Sequence, residues 1–384
     1  MKILQVCVFI DQLQGGAPCS TLGSFMALRS AGIDTEIFAL GEGLSSSTKS
    51  GFLPNLDESS KENISWIARD QQSSHGHVLK IGEMKSLFLK IAKHDCVVVH
   101  QVYGLHSIYV YLFCLITKKP YIVMPHGSLT SYDQRHHRFR KKLANLLFTK
   151  NFIRHANSIF VATDIESAQL SKSFKTRSIS IVGLGFPKPF KYEILETKKL
   201  SDPVSILFMG RITEKKRLDL TIRAIAELKM RQFRVQLTVA GDGPNEMIEK
   251  FRKLALDLGV SEFVQFLGWV TGEEKRTAIL SADYFVLNSE DENFAVIVPE
   301  VQSFGVPVLL TDKVAFSEFV SQHESGVVIQ SLEVSSIVQG FEKLFQLNFD
   351  TLSENAIKCA KDSEWEEVIL DWIARFSQIL EDSK

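Results

Sequence analysis

Residues 282–300 of the chain read ADYFVLNSEDENFAVIVPE. The apolar run Tyr284–Leu287 predicts a short buried strand. Two glutamates follow it eight residues apart, Glu292 in a loop and Glu300 at the start of the next predicted helix. Ligands of parallel sheets bind outside the carboxyl ends of the strands, and carboxylates accept paired hydrogen bonds from the neighbouring hydroxyls of a ribose or a hexose. This stretch therefore predicts an α/β protein that binds a polyol.

The rest of the chain alternates predicted strands with helix-length segments. Strands are expected at residues 3–10, 35–40, 95–100, 121–125, 158–162 and 179–182, and again at 204–209, 235–240, 264–267, 284–287, 306–310 and 327–329. The helices between them include 20–31, 164–171, 218–230 and 244–258. Such alternation is typical of parallel sheets built from βαβ units, here two Rossmann-like halves. The segments 185–189 and 198–203 interrupt it, and residues 41–63 are expected to form a long mobile loop.

The composition bounds the class of protein. A length of 384 residues suits two domains of about 150–200 residues, and a formal net charge of −1 argues against wholesale nucleic-acid binding. No segment reaches the roughly 18 uncharged apolar residues of a membrane span, so the longest apolar run, 108–116, is expected to be a core helix. Residues 1–6 are expected to enter a strand directly, since they show no apolar region followed by a small-residue cleavage site, and five scattered cysteines support neither a structural zinc nor a disulfide framework. A reducing cytoplasm fits best.

Two turns in the second half could bind an anion. Gly210 follows the predicted strand 204–209 and lets backbone approach a ligand closely. Arg211 and Lys216 lie five residues apart beyond it, and a guanidinium with an ammonium suits a diphosphate. The alternative is that both are solvated loop charges. The turn 240–244, with two glycines and a proline, is either a tight βα turn or a direct ligand contact.

The first half carries weaker signals of the same kind. Gly15 and Gly16 precede a predicted helix, where backbone N–H groups can cradle an anion. His126 and Gly127 follow the strand 121–125, so the histidine could hydrogen-bond a sugar hydroxyl or a leaving-group oxygen, or could be purely structural. The histidines at 136 and 137 have no partner at a ligand-like spacing, so we expect no metal site.

Residues 135–154 form a basic segment with seven lysines and arginines. Its apolar residues recur at helical spacing: Phe139, Leu143, Leu146 and Leu147. A basic amphipathic helix can dock on an anionic lipid surface or a phosphate-bearing acceptor. The equally weighted alternative is a solvated helix whose apolar stripe faces its own core.

Taken in order, these motifs resemble glycosyltransferase family 4, the retaining nucleotide-sugar enzymes of GT-B fold. The motifs are Gly15-Gly16, His126-Gly127, Gly210 with Arg211 and Lys216, the turn 240–244, Phe266-Leu267-Gly268 and the pair Glu292 and Glu300. The resemblance covers nearly the whole chain. It implies two Rossmann-like domains facing a central cleft: an acceptor-binding domain at 1–185, a linker at 186–203 and a nucleotide-sugar-binding domain at 204–362. The helix at 363–384 would pack back on the N-terminal domain, or would be an ordinary terminal helix on its own domain.

The resemblance also implies residue roles. Arg211 and Lys216 would neutralise the departing diphosphate. Glu300 would hold the ribose hydroxyls of the nucleotide, and Glu292 those of the transferred sugar, which His126 would also contact. With Arg211 and Lys216, Glu292 and His126 would be the catalytic set. The remaining donor-binding positions are Gly15, Gly16, Gly210 and the backbone of Asn293, Phe294 and Ala295, with Gly268, Trp269 and Val270 near the base.

Three departures from the family pattern concern donor geometry. The sequence has Asn293 and Ala295 where the family often has glycine, and asparagine tolerates left-handed backbone better than alanine does. Pro299 precedes Glu300, so we expect the helix to start late or to bend there. Leu184 stands where the family often has asparagine.

The implied function is that of a metal-independent hexosyltransferase with a co-substrate such as a UDP- or GDP-hexose and no other cofactor. The acceptor would be a saccharide or a lipid-linked saccharide, in cell-surface polysaccharide or glycolipid assembly. The enzyme would work in the cytoplasm, at the inner face of the membrane if the basic segment docks there. Two alternatives remain: a nucleotide-sugar epimerase of related fold, and a catalytically inactive partner that binds the sugar nucleotide.

Overall fold

The computed structural model describes residues 1–10, 16–41, 58–67, 73–135, 138–186 and 200–383. The chain divides into two compact units. Unit 1 comprises Met1–Phe186 together with Trp365–Lys384, and unit 2 comprises Pro187–Glu364. Residues 187–199, within the expected linker, lie outside the described residues.

Unit 1 is built on a parallel sheet of seven strands. They are β1 (Lys2–Cys7), β2 (Asp34–Ala39), β3 (Ile64–Trp66), β4 (Cys96–His100), β5 (Tyr121–Met124), β6 (Ser158–Val161) and β7 (Ile179–Ile181). Their spatial order is β3-β2-β1-β4-β5-β6-β7, so the direction of winding reverses between β1 and β4. In an open α/β sheet, that reversal opens a crevice at the carboxyl ends of the two strands.

Helices cover this sheet. They are α1 (Gly16–Ser30), α2 (Glu58–Glu62), α3 (Ile81–Lys93), α4 (Leu105–Thr117), α5 (Ser131–Arg135), α6 (Arg138–Ala144), a π-helical turn (Asn145–Thr149), α7 (Lys150–His155) and α8 (Asp164–Ser173). Thr163 caps α8, because its side-chain oxygen accepts a hydrogen bond from Glu166 N at 3.2 Å.

Unit 2 repeats the plan with six parallel strands in the order β10-β9-β8-β11-β12-β13. They are β8 (Val204–Met209), β9 (Val235–Ala240), β10 (Val264–Gly268), β11 (Tyr284–Leu287), β12 (Val308–Thr311) and β13 (Gly326–Ile329). The winding reverses between β8 and β11, so the loops after these two strands meet at one edge of the sheet. The helices are α9 (Leu218–Met230), α10 (Asn245–Asp257), α11 (Gly272–Leu280), α12 (Ile297–Gln302), α13 (Ser317–Gln322), α14 (Val334–Gln346) and α15 (Phe349–Lys361).

The last helix, α16 (Trp365–Asp382), belongs to unit 1. Trp372 and Phe376 are fully buried, and both rings lie 5.5 Å from the ring of Phe160 on β6. The indole of Trp365 fills the space left by two glycines, Gly23 on α1 and Gly185 after β7. The amphipathic C-terminal sequence is therefore part of the core of unit 1.

The α/β class with two parallel sheets is confirmed, and the predicted strands agree with the observed ones within a few residues. Central strands such as β4 and β11 are buried on both faces, which is why they read as continuous apolar runs. The interpretation of 41–63 as one loop is wrong in its described part. Residues 58–62 form α2, and the edge strand β3 follows at once. Only Asn63 separates the polar helix α2 from β3, so no clear break in the local sequence marks where the strand begins.

The expectation of a core helix at 108–116 is only half right. Val110 and Cys114 of α4 are buried, but Leu115 and Ile116 expose 52% and 67% of their surface. In the part of the chain that the structure describes, no helix combines the length and apolar character needed to cross a bilayer.

Candidate active site

Three loops at the carboxyl edge of the second sheet are joined through their backbones. Gly210 N donates to Ala240 O at 3.0 Å, Gly241 N donates to Gly268 O at 2.7 Å, and the loops thereby extend the strand pairing. A side-chain carbon at Gly241 would lie 1.9 Å from Gly210 O, so only glycine fits there. Close packing against the loop after β8 therefore explains why residue 241 of the turn 240–244 is a glycine, without any contact to a ligand.

Lys216 is positioned by the loop after β8. A 3-10 turn (Glu214–Lys216) ends at Arg217, which has φ 48°, and this sharp reversal directs Lys216 back over the strand end. A side-chain carbon at Gly210 would come within 3.4 Å of Lys216 Cε, so the lysine stem lies against that glycine. Lys216 Nζ lies 2.9 Å from Glu292 Oε1, and both side chains are mostly buried.

Glu292 is fixed by the backbone on the other side of the winding reversal. Its N–H donates to Lys313 O at 3.0 Å, and its carbonyl accepts from Ala315 N at 2.9 Å. The side-chain oxygen Oε1 also accepts a hydrogen bond from Ser289 Oγ at 3.1 Å. The carboxylate is therefore held at the strand end by contacts that need no ligand.

The charge of Glu292 is set by opposing effects. Burial by itself would raise the pKa of its carboxyl, but the ammonium groups of Lys216 and Lys215 and the hydrogen bonds from Lys216 and Ser289 outweigh it. The net result is a lowered pKa, so Glu292 is a carboxylate at neutral pH. It can accept hydrogen bonds from hydroxyls but has no proton to give.

Further contacts join the two loops that carry this pair. Glu290 N donates to Lys215 O at 2.9 Å, and the guanidinium of Arg217 donates to Glu290 Oε1 at 3.1 Å. Lys215 Nζ lies 3.6 Å from Asp291 Oδ2. Sequence reasoning missed Lys215, Arg217 and Glu290, because surface charges give no signal of their partners until the sheet order is known.

Glu300 has a different partner. It lies in α12 and forms an ion pair with Lys275 of α11, which sequence reasoning also missed. The expectation of a late helix start at Pro299 is wrong, because α12 begins two residues earlier, at Ile297. Pro299 is its third residue, within the first turn, where a missing N–H costs no helical hydrogen bond.

The segment before α12 contains a strained residue. Ala295 has φ 62°, the left-handed conformation that glycine adopts easily and alanine does not. Asn293, which we expected to tolerate this conformation, does not have a positive φ. The side chain of Phe294 is buried, with its ring 5.1 Å from that of Phe316, so only its backbone is left to meet a ligand.

The remaining predicted donor residues of unit 2 are near the same edge. Arg211 is exposed, two residues along from β8. Gly268 has φ 76°, and Trp269 after it exposes 43% of its surface. The structure therefore brings Lys216 and Glu292 into contact and pairs Glu300 with a different lysine, Lys275. Arg211 and Trp269 are left open to solvent.

In unit 1, His126 belongs to a hydrogen-bonded chain at the winding reversal of the first sheet. His126 Nε2 lies 2.9 Å from His100 Nδ1, and His100 Nε2 lies 2.8 Å from Gln5 Oε1. With Gln5 Oε1 as the acceptor, His100 donates through Nε2 and accepts through Nδ1 from His126. Nδ1 of His126 is then left as a hydrogen-bond acceptor.

Both histidines of this hydrogen-bonded chain, His100 and His126, are neutral at physiological pH. Burial lowers the pKa of His126 to about 4. Burial, and then the neighbouring His126 and His106, lower the pKa of His100 well below its usual range. A neutral imidazole can exchange hydrogen bonds with a hydroxyl but is a poor general acid at pH 7.

The turn that carries His126 is anchored by Glu166. His126 and Gly127 have φ 52° and 79°, and Gly127 N donates to Glu166 Oε1 at 3.0 Å. The other oxygen of Glu166 accepts from Ala162 N at 2.9 Å.

Gly16 opens α1, and a side-chain carbon there would meet nothing within 4 Å, so packing does not require a glycine. Gly15 lies outside the described residues.

Across the described ranges, which omit residues 136 and 137, no cluster of His, Cys, Asp or Glu has the makings of a metal site. The five cysteines are all free.

Comparison with known proteins finds a family model that matches part of the chain. Residues 192–363 match the family model described as glycosyl transferases group 1. An uncharacterised glycosyltransferase of Methanocaldococcus jannaschii is 29% identical over 174 residues, which are 45% of this chain and 43% of that protein. The lipopolysaccharide core biosynthesis glycosyltransferase LpsE of Rhizobium meliloti is 26% identical over 197 residues, 50% of this chain and 55% of LpsE. The chain thus spans about half the length of these relatives.

Solved structures identify the fold. HepE of Anabaena, crystallised in complex with UDP and glucose, superposes with a TM-score of 0.75 over 98% of this chain and 100% of its own, at 15% identity. The predicted GT-B fold is therefore confirmed. The region that carries Lys216, Glu292 and Glu300 matches the family model of glycosyl transferases group 1, and the whole chain has the GT-B fold.

Proposed function

We propose that the protein is a retaining glycosyltransferase of family 4 that transfers a hexose from a nucleotide-diphosphate sugar. The observation that carries the proposal is the contact between Lys216 and Glu292. It joins the carboxyl ends of β8 and β11, where ligands of such sheets bind, and lies inside the region that matches the family model. A cation and a carboxylate side by side suit a ligand that combines phosphate with sugar hydroxyls.

In this proposal the basic side chains act on the leaving group. Lys216, already oriented by Gly210 and Glu292, and the solvent-exposed Arg211 stabilise the negative charge that develops on the diphosphate. Backbone N–H groups of Asn293, Phe294 and Ala295 contact the phosphates or the sugar. These groups take the part that a metal ion has in metal-dependent transferases, so we propose that catalysis needs no metal.

The carboxylates hold hydroxyls rather than move protons. Glu292 is ionised at neutral pH, so it accepts hydrogen bonds from the transferred hexose, and Glu300 does the same for the ribose. Neutral His126 hydrogen-bonds the hexose. Gly16 approaches the donor, and Trp269 with its two neighbours lies near the base. Retention would follow from front-face displacement assisted by the leaving phosphate, since none of these groups is assigned as a covalent nucleophile.

The names of similar proteins support the proposed donor and acceptor classes. HepE was crystallised with UDP and glucose, and LpsE is named for lipopolysaccharide core biosynthesis. We therefore propose a UDP- or GDP-hexose as donor and a saccharide or lipid-linked saccharide as acceptor, in cell-surface polysaccharide or glycolipid assembly. The site of action is the cytoplasm, at the inner face of the membrane.

A thermal-shift screen against a panel of nucleotide sugars tests the donor site. A ligand present at 100 times its Kd stabilises the protein by about 2.7 kcal/mol, enough for a clear shift in Tm. Glu300→Ala should abolish the shift because it removes the ribose contact, while Glu273→Ala, at an exposed position of α11, should leave it unchanged. If the Glu300 variant binds every nucleotide sugar as well as the parent does, the ribose assignment is wrong.

The two alternatives predict other outcomes. An epimerase needs general acid–base groups beside the sugar, whereas Glu292 and Glu300 are each paired with a lysine. A rearranged nucleotide sugar formed without any acceptor would favour it. Binding without nucleotide release, across a full panel of donors and acceptors, would indicate an inactive partner instead.

A further inference from the structure

The basic segment of unit 1 exposes the apolar stripe that its sequence shows. Phe139, Leu143, Leu146 and Leu147 expose 88%, 57%, 73% and 70% of their surface. The four residues follow the helical spacing i, i+4, i+7, i+8 along α6 and the π-helical turn. The alternative in which this stripe faces the core of its own domain is therefore wrong.

A second helix exposes a stripe with the same spacing. On α4, Ile108, Leu112, Leu115 and Ile116 expose 37%, 49%, 52% and 67% of their surface. Large apolar side chains scattered singly over a surface are ordinary, but two helical stripes on neighbouring helices are a patch of the kind that marks an interaction site.

Direct contacts hold the two helices together. Tyr111 of α4 lies edge-on to Phe148 of the π-helical turn, with ring centroids 5.6 Å apart. The Tyr111 hydroxyl is hydrogen-bonded to His155 Nδ1 of α7 at 2.7 Å, and Tyr103, just before α4, donates to Asn145 Oδ1 at 2.8 Å. The two stripes therefore lie on helices that pack against each other, and we call their eight exposed side chains the paired-helix surface.

The chain segment that carries both stripes is strongly basic. Residues 105–155 contain nine lysines and arginines and a single acidic residue, Asp133, although the whole chain has a net charge of −1. Asp133 is ion-paired with Lys141. Arg138, Arg140 and Lys142 are exposed beside the apolar stripe of α6.

We propose that the paired-helix surface docks on an anionic lipid bilayer, with the eight apolar side chains entering the interface and the basic side chains meeting lipid phosphates. Apolar residues flanked by lysine and arginine are the features by which amphipathic helices bind such membranes. A second copy of the chain fits less well, because a two-fold interface would place this positive surface against itself.

Co-sedimentation with vesicles tests the proposal without any sugar nucleotide, so its result is independent of the proposed transferase function. The full chain should bind vesicles of phosphatidylcholine with phosphatidylglycerol, and not vesicles of phosphatidylcholine alone. Binding should weaken as salt is raised. Arg138→Gln with Lys142→Gln should lower partitioning about 30-fold, at about 1 kcal/mol per basic residue and tenfold per 1.4 kcal/mol.

The contribution of α4 needs its own variants. Leu115→Ser with Ile116→Ser should lower partitioning about tenfold or more, because two apolar side chains no longer enter the interface. The matched control is Leu256→Ser with Leu370→Ser, at positions that expose 66% and 60% of their surface elsewhere on the chain, and it should bind as the parent does. All four side chains are solvent-exposed, so unfolding midpoints should stay close to that of the parent.

Three results would overturn the proposal. The parent chain could fail to bind the anionic vesicles, or the α4 variant could bind them as tightly as the control does. The third result is a dimer of the parent chain, detected by analytical ultracentrifugation, together with an absence of vesicle binding. If Leu115→Ser with Ile116→Ser dissociated that dimer, the surface would join two copies of the chain.

Discussion

At the scale of single residues, the pair formed by Lys216 and Glu292 shows how the site exists before a ligand arrives. Each side chain is mostly buried, and a buried charge is costly unless it has a partner. Lys216 satisfies Glu292, and the backbone on both sides of Glu292 fixes its position. The ammonium group has further N–H donors, which in the proposed function bind a phosphate of the donor.

The first prediction concerns the pH dependence of Lys216→Met. The lowered pKa of Glu292 contributes stability that is present above the usual carboxyl pKa of about 4.3 and is lost as pH falls through the lower folded value. Without Lys216, the largest remaining effect on that pKa is burial, which raises it. The variant should therefore lose roughly 2 kcal/mol of unfolding free energy at pH 7 and much less at pH 4.

Chemical denaturation of parent and variant at the two pH values measures this difference. Lys253→Met, which removes an exposed lysine paired with Asp257, is the matched control and should cost less than about 1 kcal/mol. An equal loss at both pH values for Lys216→Met would contradict the charge assignment of Glu292.

The second prediction concerns the left-handed backbone of Ala295. This conformation costs a non-glycine residue roughly 1–2 kcal/mol, whereas glycine loses about 0.4–1 kcal/mol more chain entropy on folding. Ala295→Gly should therefore stabilise the protein by up to about 1 kcal/mol. Ala374→Gly, at an exposed position inside α16, should destabilise it by about 1 kcal/mol. Denaturant midpoints give both values, and a loss of stability for Ala295→Gly would show that the strain at this residue is absent.

At the scale of elements, the packing of α1 against α16 depends on one glycine. A side-chain carbon at Gly23 would lie 2.1 Å from the indole nitrogen of Trp365, and Trp365 is itself buried. The indole also fills the space over Gly185. Two glycines far apart in sequence thus shape the socket of one tryptophan, so neither can accept a side chain without displacing the helix.

The third prediction follows from this socket. Gly23→Ala should destabilise unit 1 by about 1–3 kcal/mol, the usual cost of overpacking a core. Gly16→Ala on the same helix should cause no comparable loss, since its added methyl group meets nothing within 4 Å. Calorimetric unfolding of the two variants provides the comparison, and similar midpoints would show that α16 does not rest on Gly23.

At the scale of the whole molecule, the chain crosses from unit 1 to unit 2 and returns. Unit 1 contains Met1–Phe186 and Trp365–Lys384, so its core is complete only when the last twenty residues have been added. Trp372 and Phe376 from this segment are fully buried beside Phe160. Unit 2 is a single continuous segment, which includes the region matched by the family model.

The fourth prediction is that deletion of residues 365–384 affects the two units differently. Unit 1 should lose its cooperative thermal transition, because loss of one buried tryptophan alone costs about 3–5 kcal/mol and further aromatic side chains are lost with it. Unit 2 should keep its own transition. Calorimetry with limited proteolysis distinguishes the units, and an unchanged transition of unit 1 would show that α16 is dispensable for its core.

The amino-acid sequence by itself determined the class of fold and the edge at which to look for the site. Alternating apolar strands and helices report local periodicity, and parallel strands buried on both faces carry that signal strongly. The order of glycine turns, basic residues and glutamates along the chain was enough to show a resemblance to a glycosyltransferase family. These are properties of neighbouring residues, and they can be read without knowing which strands lie side by side.

Only the tertiary structure decided which charged side chains form ion pairs with each other. Lys216 reaches Glu292 because β8 and β11 are adjacent in the sheet, although 76 residues separate them in the chain. The same holds for Lys275 with Glu300 and for the two glycines around Trp365. It also decided that the stripes of α4 and α6 face solvent, because an amphipathic pattern defines an apolar face but not what covers it.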